Sequence, residues 1–226
     1  VGWSGKVREA YDHAVKALEL DPRHAEAHAL AATYAYRIGR PEAARAHAES
    51  ALAVDDRIGK AHDVLGLVLL GEGQLDDALR HHEAAIALAP ESAEARNNLA
   101  FALIQLGRVQ DALAQTGQAL RLQPDFAEAR NNRGIAHARA GVSDSAIADF
   151  QEALRLRPSY VQAHNNLGLV LAGRGEIQEA ARHFETAVRI EPNYEEARRN
   201  LAVARKTLEG RDAADREAAD SPGGAD

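Results

Sequence analysis

The most regular chemistry in this 226-residue chain is carried by asparagines. Asn97 with Asn98, Asn131 with Asn132, Asn165 with Asn166, and Asn200 recur at steps of 34 or 35 residues, and Phe101, Ile135 and Leu169 each follow the second amide by three. Leu67 follows Val64 in the same way one period earlier. On a helix, residues three apart share a face. A carboxamide both donates and accepts, so a row of amides can pair with the backbone of an extended peptide whatever its sequence. The apolar row beside it would take that peptide's side chains. This is the chemistry of binding, with no bond made or broken.

Other reactive groups lead to less. Of the ten histidines, His28, His62 and His164 share one place in the period, and His13, His47, His81 and His183 share another. Equivalent places in stacked helical units lie on the order of 10 Å apart, too far for two nitrogens each about 2 Å from one zinc. His81 and His82 are adjacent, and neighbours on a helix point about 100° apart. No metal site and no cofactor is expected from these spacings. GEGQLD from Gly71 and GRGEIQ from Gly173 follow no strand and complete no G-x-G-x-x-G, so they read as turns. No Ser, His and acid set stands out, no catalytic residue is assigned, and an enzyme is not expected. The lack of cysteine excludes disulfides and thiolate metal sites. A net charge of −7 argues against nucleic acid as the partner. No apolar run approaches the ~20 residues of a membrane span, so no membrane insertion is expected.

What must position the asparagines is a set of helices. Ala10, Ala44, Ala78, Ala112, Ala146 and Ala180 fall 34 residues apart, as do Ala17, Ala51, Ala85, Ala119, Ala153 and Ala187. Gly5, Gly39, Gly73, Gly107, Gly141 and Gly175 form a third comb, and Pro22, Pro90, Pro124, Pro158 and Pro192 a fourth, with Asp56 in the missing place. Four combs with one period identify an internal repeat. Each glycine supplies a tight turn between two helices, each proline ends the second helix, and the alanines let paired helix axes approach. Asp125 with Glu128, Ser159 with Gln162, and Asn193 with Glu196 have capping-box spacing.

This pattern resembles the tetratricopeptide repeat, as in AEARNNLAFALIQLGRVQDALAQTGQALRLQPDF from Ala93. The resemblance implies an all-α fold: a right-handed superhelical solenoid of antiparallel helix pairs whose first helices line a concave groove. Residues 1–24 then read as a partial repeat holding only a second helix, turning at Gly5. Residues 25–194 form five complete repeats, residues 195–209 a capping helix, and residues 210–226 a disordered acidic tail. The missing first helix makes the chain look like an excerpt of a longer protein, with an open end that could stack on a second copy.

The resemblance implies a protein or peptide partner held in the groove for complex assembly. Its candidate contacts are Asn97, Asn98, Asn131, Asn132, Asn165, Asn166 and Asn200 with Leu67, Phe101, Ile135 and Leu169. Asn98, Asn132, Asn166 and Asn200 also resemble the asparagine ladder in the repeats of protein O-GlcNAc transferases, which makes a substrate-recruiting arm of a larger enzyme the alternative. Repeat position 5 holds no lysine and position 9 no asparagine, so the carboxylate clamp of chaperone-binding relatives is not expected. Two departures matter. The aromatic at repeat position 24 survives only as Phe150 and Phe184, which predicts looser packing in the amino-terminal half. Arg133 stands where Leu65, Leu99, Leu167 and Leu201 stand in other repeats, and is expected to lay its stem on apolar neighbours with its head in water.

Overall fold

A computed structural model describes residues 2–220, with side chains for residues 5–211. Among the described residues all regular structure is helical. Five antiparallel pairs are α2 (Ala25–Arg37) with α3 (Pro41–Val54), α4 (Gly59–Gly71) with α5 (Leu75–Leu88), α6 (Ala93–Gln105) with α7 (Val109–Leu122), α8 (Ala127–Arg139) with α9 (Ser143–Leu156), and α10 (Val161–Gly173) with α11 (Ile177–Ile190). A lone helix precedes them, α1 (Gly2–Leu20), and another follows, α12 (Glu195–Asp220). The chain forms two compact units that divide between Pro124 and Asp125, the first holding α1 to α7 and the second α8 to α12.

The turn inside each pair is set by its glycine. Gly39, Gly73, Gly107, Gly141 and Gly175 have φ between 72° and 83°, a conformation that a Cβ would strain. After α2, the Arg40 N–H donates to the Ala35 carbonyl at 2.9 Å and the Gly39 N–H to the Tyr36 carbonyl at 3.0 Å, closing a Schellman motif that recurs at every pair. Gly5 differs from its comb. It lies inside α1, which runs through it without a turn.

Helix starts also differ from expectation. The residues that flank α8 and α10 are Phe126 and Tyr160, without side-chain caps, so Asp125 and Ser159 sit one place too early. Before α10 the preceding turn is the cause: the Tyr160 N–H donates to the Arg157 carbonyl at 3.1 Å and delays the helix by one residue. Side-chain caps occur instead at His24, whose Nδ1 accepts from the Ala27 N–H, and at Ser92, whose Oγ accepts from the Ala95 N–H. At the other end α12 continues to Asp220, past the expected stop at Glu209. Residues 210–220, read as disordered, are helical, which suits their alanine, arginine and glutamate content. Residues 221–226 lie outside the described residues.

Packing within a pair follows a rule of complementary size. Phe150 and Phe184 lie against Gly134 and Gly168, where a Cβ would come within 2.7 and 2.6 Å of the ring. His82 lies on Gly66 in the same way, at 2.7 Å. Where the second helix instead offers Ala48 or Thr116, the first supplies Ala32 or Ala100, and all four are 0% exposed. The amino-terminal half is therefore not left open by its missing aromatics, because methyl groups on both sides fill the place of ring and glycine.

His82 fits this slot imperfectly. It is 0% exposed, its Nδ1 meets Asp63 Oδ1 at 2.8 Å, and its Nε2 is buried without a hydrogen-bond partner. A phenylalanine would fill the slot without the orphaned nitrogen, and an amide at position 63 would still accept from Asn98, which now donates to Asp63 at 3.0 Å. His82→Phe combined with Asp63→Asn should raise the unfolding free energy by about 1–2 kcal/mol in urea titrations. A lower midpoint in the double variant would show that the His82 to Asp63 bond outweighs the orphan.

Candidate functional site

The amide rows belong to the first helices, and the structure uses most of them internally. Asn97, Asn131 and Asn165 are buried, with Asn165 at 0% exposure. Asn166 Nδ2 donates to Asn131 Oδ1 at 3.0 Å, and Asn200 Nδ2 donates to Asn165 Oδ1 at 2.8 Å. Asn165 Nδ2 in turn donates to Glu196 Oε1 at 3.1 Å. In the first unit Asn98 Nδ2 makes the corresponding bond to Asp63 Oδ2. Each rung thus joins the second amide of one repeat to the polar group one place earlier in the preceding repeat. Asn131 and Asn165 are removed from the surface by this arrangement, and Asn97 and Asn132 are buried as well. Asn98, Asn166 and Asn200 stay half-buried, with one edge toward solvent.

Leu67 and Phe101 in the first unit and Ile135 in the second are half-buried, Leu169 is 43% exposed, and Val203 is 67% exposed. In the first unit a cleft of about 690 Å³ opens between the starts of α4 and α6, lined by Gly59, Lys60, Asp63, Ala89, Glu91 and Glu94 among others. Gly59 stands where other repeats carry Ala25, Ala93, Ala127 or Val161, and its missing side chain helps open the cleft. Arg133 does not hold its head in water as expected. Its Nε donates to both oxygens of Asp149, which is 3% exposed and also meets His137 Nδ1 at 3.0 Å. The Arg133 head pairs with this carboxylate because nearly complete burial leaves Asp149 little water to solvate it.

Sequence profiles described as the tetratricopeptide repeat match residues 4–59, 69–133 and 142–195, together most of the chain. The chain belongs to the tetratricopeptide repeat family. No curated protein matches it. Among solved structures it is similar to YrrB, described as a tetratricopeptide repeat protein with an unusual peptide-binding site, at 24% identity and a TM-score of 0.59, covering 83% of this chain and 97% of that one. It is also similar to TTC0263, a thermophilic tetratricopeptide repeat protein of Thermus thermophilus, at 24% identity and a TM-score of 0.70, covering 80% and 98%. The Cut9–Hcn1 hetero-tetramer of the APC/C gives a TM-score of 0.81 at 21% identity, covering 88% of this chain and 40% of that one. At such identities the likeness is one of fold.

Within this tetratricopeptide framework the histidines form pairs that the spacing of equivalent positions does not reveal. Repeat position 4 meets position 23 of the same repeat. His28 and His47 bring their Nδ1 atoms to 3.1 Å, His62 and His81 to 2.9 Å, and His164 and His183 to 3.0 Å. The position-4 ring also places Nε2 at 3.1, 2.9 and 3.1 Å from the carbonyls of Pro22, Asp56 and Pro158. A carbonyl only accepts, so this Nε2 carries the proton and its Nδ1 accepts from the Nδ1–H of the partner ring. In the remaining repeats Arg96 donates to Gln115 Oε1 at 3.2 Å, and Arg130 lies 3.6 Å from Asp149. The discoverable signal was the joint choice at positions 4 and 23: histidine with histidine, or arginine with an acceptor.

These bonds require neutral rings. Burial holds the pKa of His47, His81, His164 and His183 below the usual histidine value, and for His47, His81 and His183 the paired ring lowers it further. A group whose folded pKa is depressed stabilises fully above its unfolded value, about 6.5 for histidine, and loses that contribution as pH falls through the folded value. The melting temperature should therefore fall as pH drops from 7.5 toward 5. Replacing all three pairs with the Arg96 and Gln115 chemistry should flatten the profile, and an equally steep one would show that other groups set it.

The amide rungs generate a second expectation. Asn165→Ala leaves Asn200 and Glu196 without their partner and should cost about 1–3 kcal/mol of stability. Urea midpoints unchanged from the parent would show that water replaces the rung at no cost.

Proposed function

We propose that the chain is a protein-interaction scaffold whose first helices hold a peptide segment of a partner protein, without catalysis. The observation that carries this reading is the apolar row on the first helices, half-exposed at Leu67, Phe101 and Ile135 and open at Leu169 and Val203. A helical stack that buries its small residues so completely gains nothing from leaving these large ones at the surface. Beside them Asn98, Asn166 and Asn200 have their Nδ2 groups committed to the neighbouring repeat, which holds each amide in one orientation. What they offer a ligand is the carbonyl oxygen, an acceptor for a peptide N–H. YrrB, a protein of the same fold, is described as having a peptide-binding site, which fits this use.

The binding mode is side-chain capture by the apolar row with backbone pairing at the amides, and the pre-set amides reduce the ordering cost of association. Peptides selected from a displayed random library on the intact chain should lose at least tenfold in affinity when Phe101 and Leu169 are replaced by Asp, with circular dichroism unchanged. Binders that ignore both substitutions would place the contact elsewhere and sink the proposal.

A further inference from the structure

The histidine pairs have the geometry of metal ligands as well as of hydrogen-bond partners. Two nitrogens in adjacent positions of a tetragonal Cu(II) or Ni(II) centre, each about 2.0–2.1 Å from the metal, lie about 2.9 Å apart, whereas a tetrahedral zinc spreads them to about 3.3 Å. The three Nδ1 to Nδ1 separations are 3.1, 2.9 and 3.0 Å, so the helices already hold the nitrogens at the tetragonal spacing. The ring planes are inclined by 43°, 35° and 35°, which a rotation about the side-chain torsions adjusts as the lone pairs turn toward a shared ion.

A second observation is independent of the spacing. In each pair the position-4 ring is anchored through Nε2–H to a loop carbonyl, of Pro22, Asp56 or Pro158. This is the outer contact that fixes the tautomer and aim of metal-binding histidines, and it leaves Nδ1 as a lone pair directed at the second ring. Charged groups near the pairs are of both signs: Arg80, Asp77 and His82 act on His81, Glu179 on His183 and Arg189 on His164.

We infer that His28 with His47, His62 with His81, and His164 with His183 are three equivalent two-nitrogen sites for a divalent transition-metal ion of tetragonal preference, Cu(II) or Ni(II). Among the described residues no group of three or more His, Cys, Asp or Glu side chains could hold a metal, so water completes each coordination shell. On binding, the proton on the second ring's Nδ1 is exchanged through water to its Nε2. Both Nδ1 lone pairs then reach the ion and no proton is released overall. The bound ion clips the first helix of a repeat to the second.

The test uses the untagged chain, titrated with Cu(II) at pH 7.5 and followed by calorimetry and electron paramagnetic resonance. The expected result is three equivalents with hyperfine structure from two nitrogens each, and a raised melting temperature. His62→Arg with His81→Gln, which copies the pair at Arg96 and Gln115, should remove one equivalent, and the same change in all three pairs should remove all three. His13→Gln should remove none, because His13 is exposed and belongs to none of the three pairs. In the unaltered chain, substoichiometric Cu(II) should broaden the proton signals of the six paired rings before those of His13, His24 and His137. Retention of three equivalents after all pairs are replaced would overturn the inference. So would simultaneous broadening of all rings, or uptake by the parent chain no greater than by the replaced one, either of which would leave the pairs as hydrogen bonds alone.

Discussion

The distance between the two helices of a pair is the constraint on which the rest of this structure depends, and it is set by methyl groups. Ala44, Ala78, Ala112, Ala146 and Ala180 are all 0% exposed, and Ala51, Ala85, Ala119, Ala153 and Ala187 are at most 1% exposed. Any larger side chain at these ten places would push the axes apart, and interiors packed this closely have no slack to absorb it. With the axes fixed, the remaining contacts are dictated by reach. A ring on the second helix demands a glycine on the first, as at Gly66, Gly134 and Gly168. The polar ends of positions 4 and 23 arrive within hydrogen-bond distance of each other in His28 with His47 and in Arg96 with Gln115, and Arg130 comes within ion-pair distance of Asp149.

Much of this was legible in the sequence because it is either local or periodic. A glycine with positive φ announces itself by its place between two helical stretches, and the alanine columns by their recurrence. The side of the helix that carries Leu67, Phe101, Ile135 and Leu169 follows from counting along one helix. What was not legible needed the register between two helices. The meeting of position 4 with position 23 spans 19 residues and an intervening turn, and comparing each histidine only with its counterparts in other repeats hides it. Arg133 was misplaced for the same reason, since its partner Asp149 lies 16 residues away on the next helix. The capping boxes failed on a finer point. Their spacing was right, but the loop carbonyl at Arg157 had already taken the Tyr160 N–H.

The asparagines show how one residue type divides its work by depth. At the deeper place of each pair, Asn131 and Asn165 accept a hydrogen bond from the amide of the following repeat and lie away from water. At the shallower place, Asn166 and Asn200 give that bond and keep an edge at the surface. A buried amide without a partner would cost more than the bond returns, so the two places must change together. Asp63 below Asn98 illustrates the permitted exchange, a carboxylate for an amide oxygen, with His82 answering its other oxygen.

Functional variation can then enter this architecture only where the helix spacing does not forbid it. Positions 8, 20, 24 and 27 are bound by volume, and positions 4 and 23, with the amides at positions 5 and 6, by the need to close a hydrogen bond. Position 9 is bound less tightly by both, since only Thr33 closes a side-chain hydrogen bond there and Ile135 packs on the core with one side alone. It carries Thr33, Leu67, Phe101, Ile135, Leu169 and Val203, a spread of size and shape whose outer members Leu169 and Val203 lie open to solvent. A change of side chain in such a column leaves the stack intact, while the amides beside it are held in one orientation by their bonds to the neighbouring repeat.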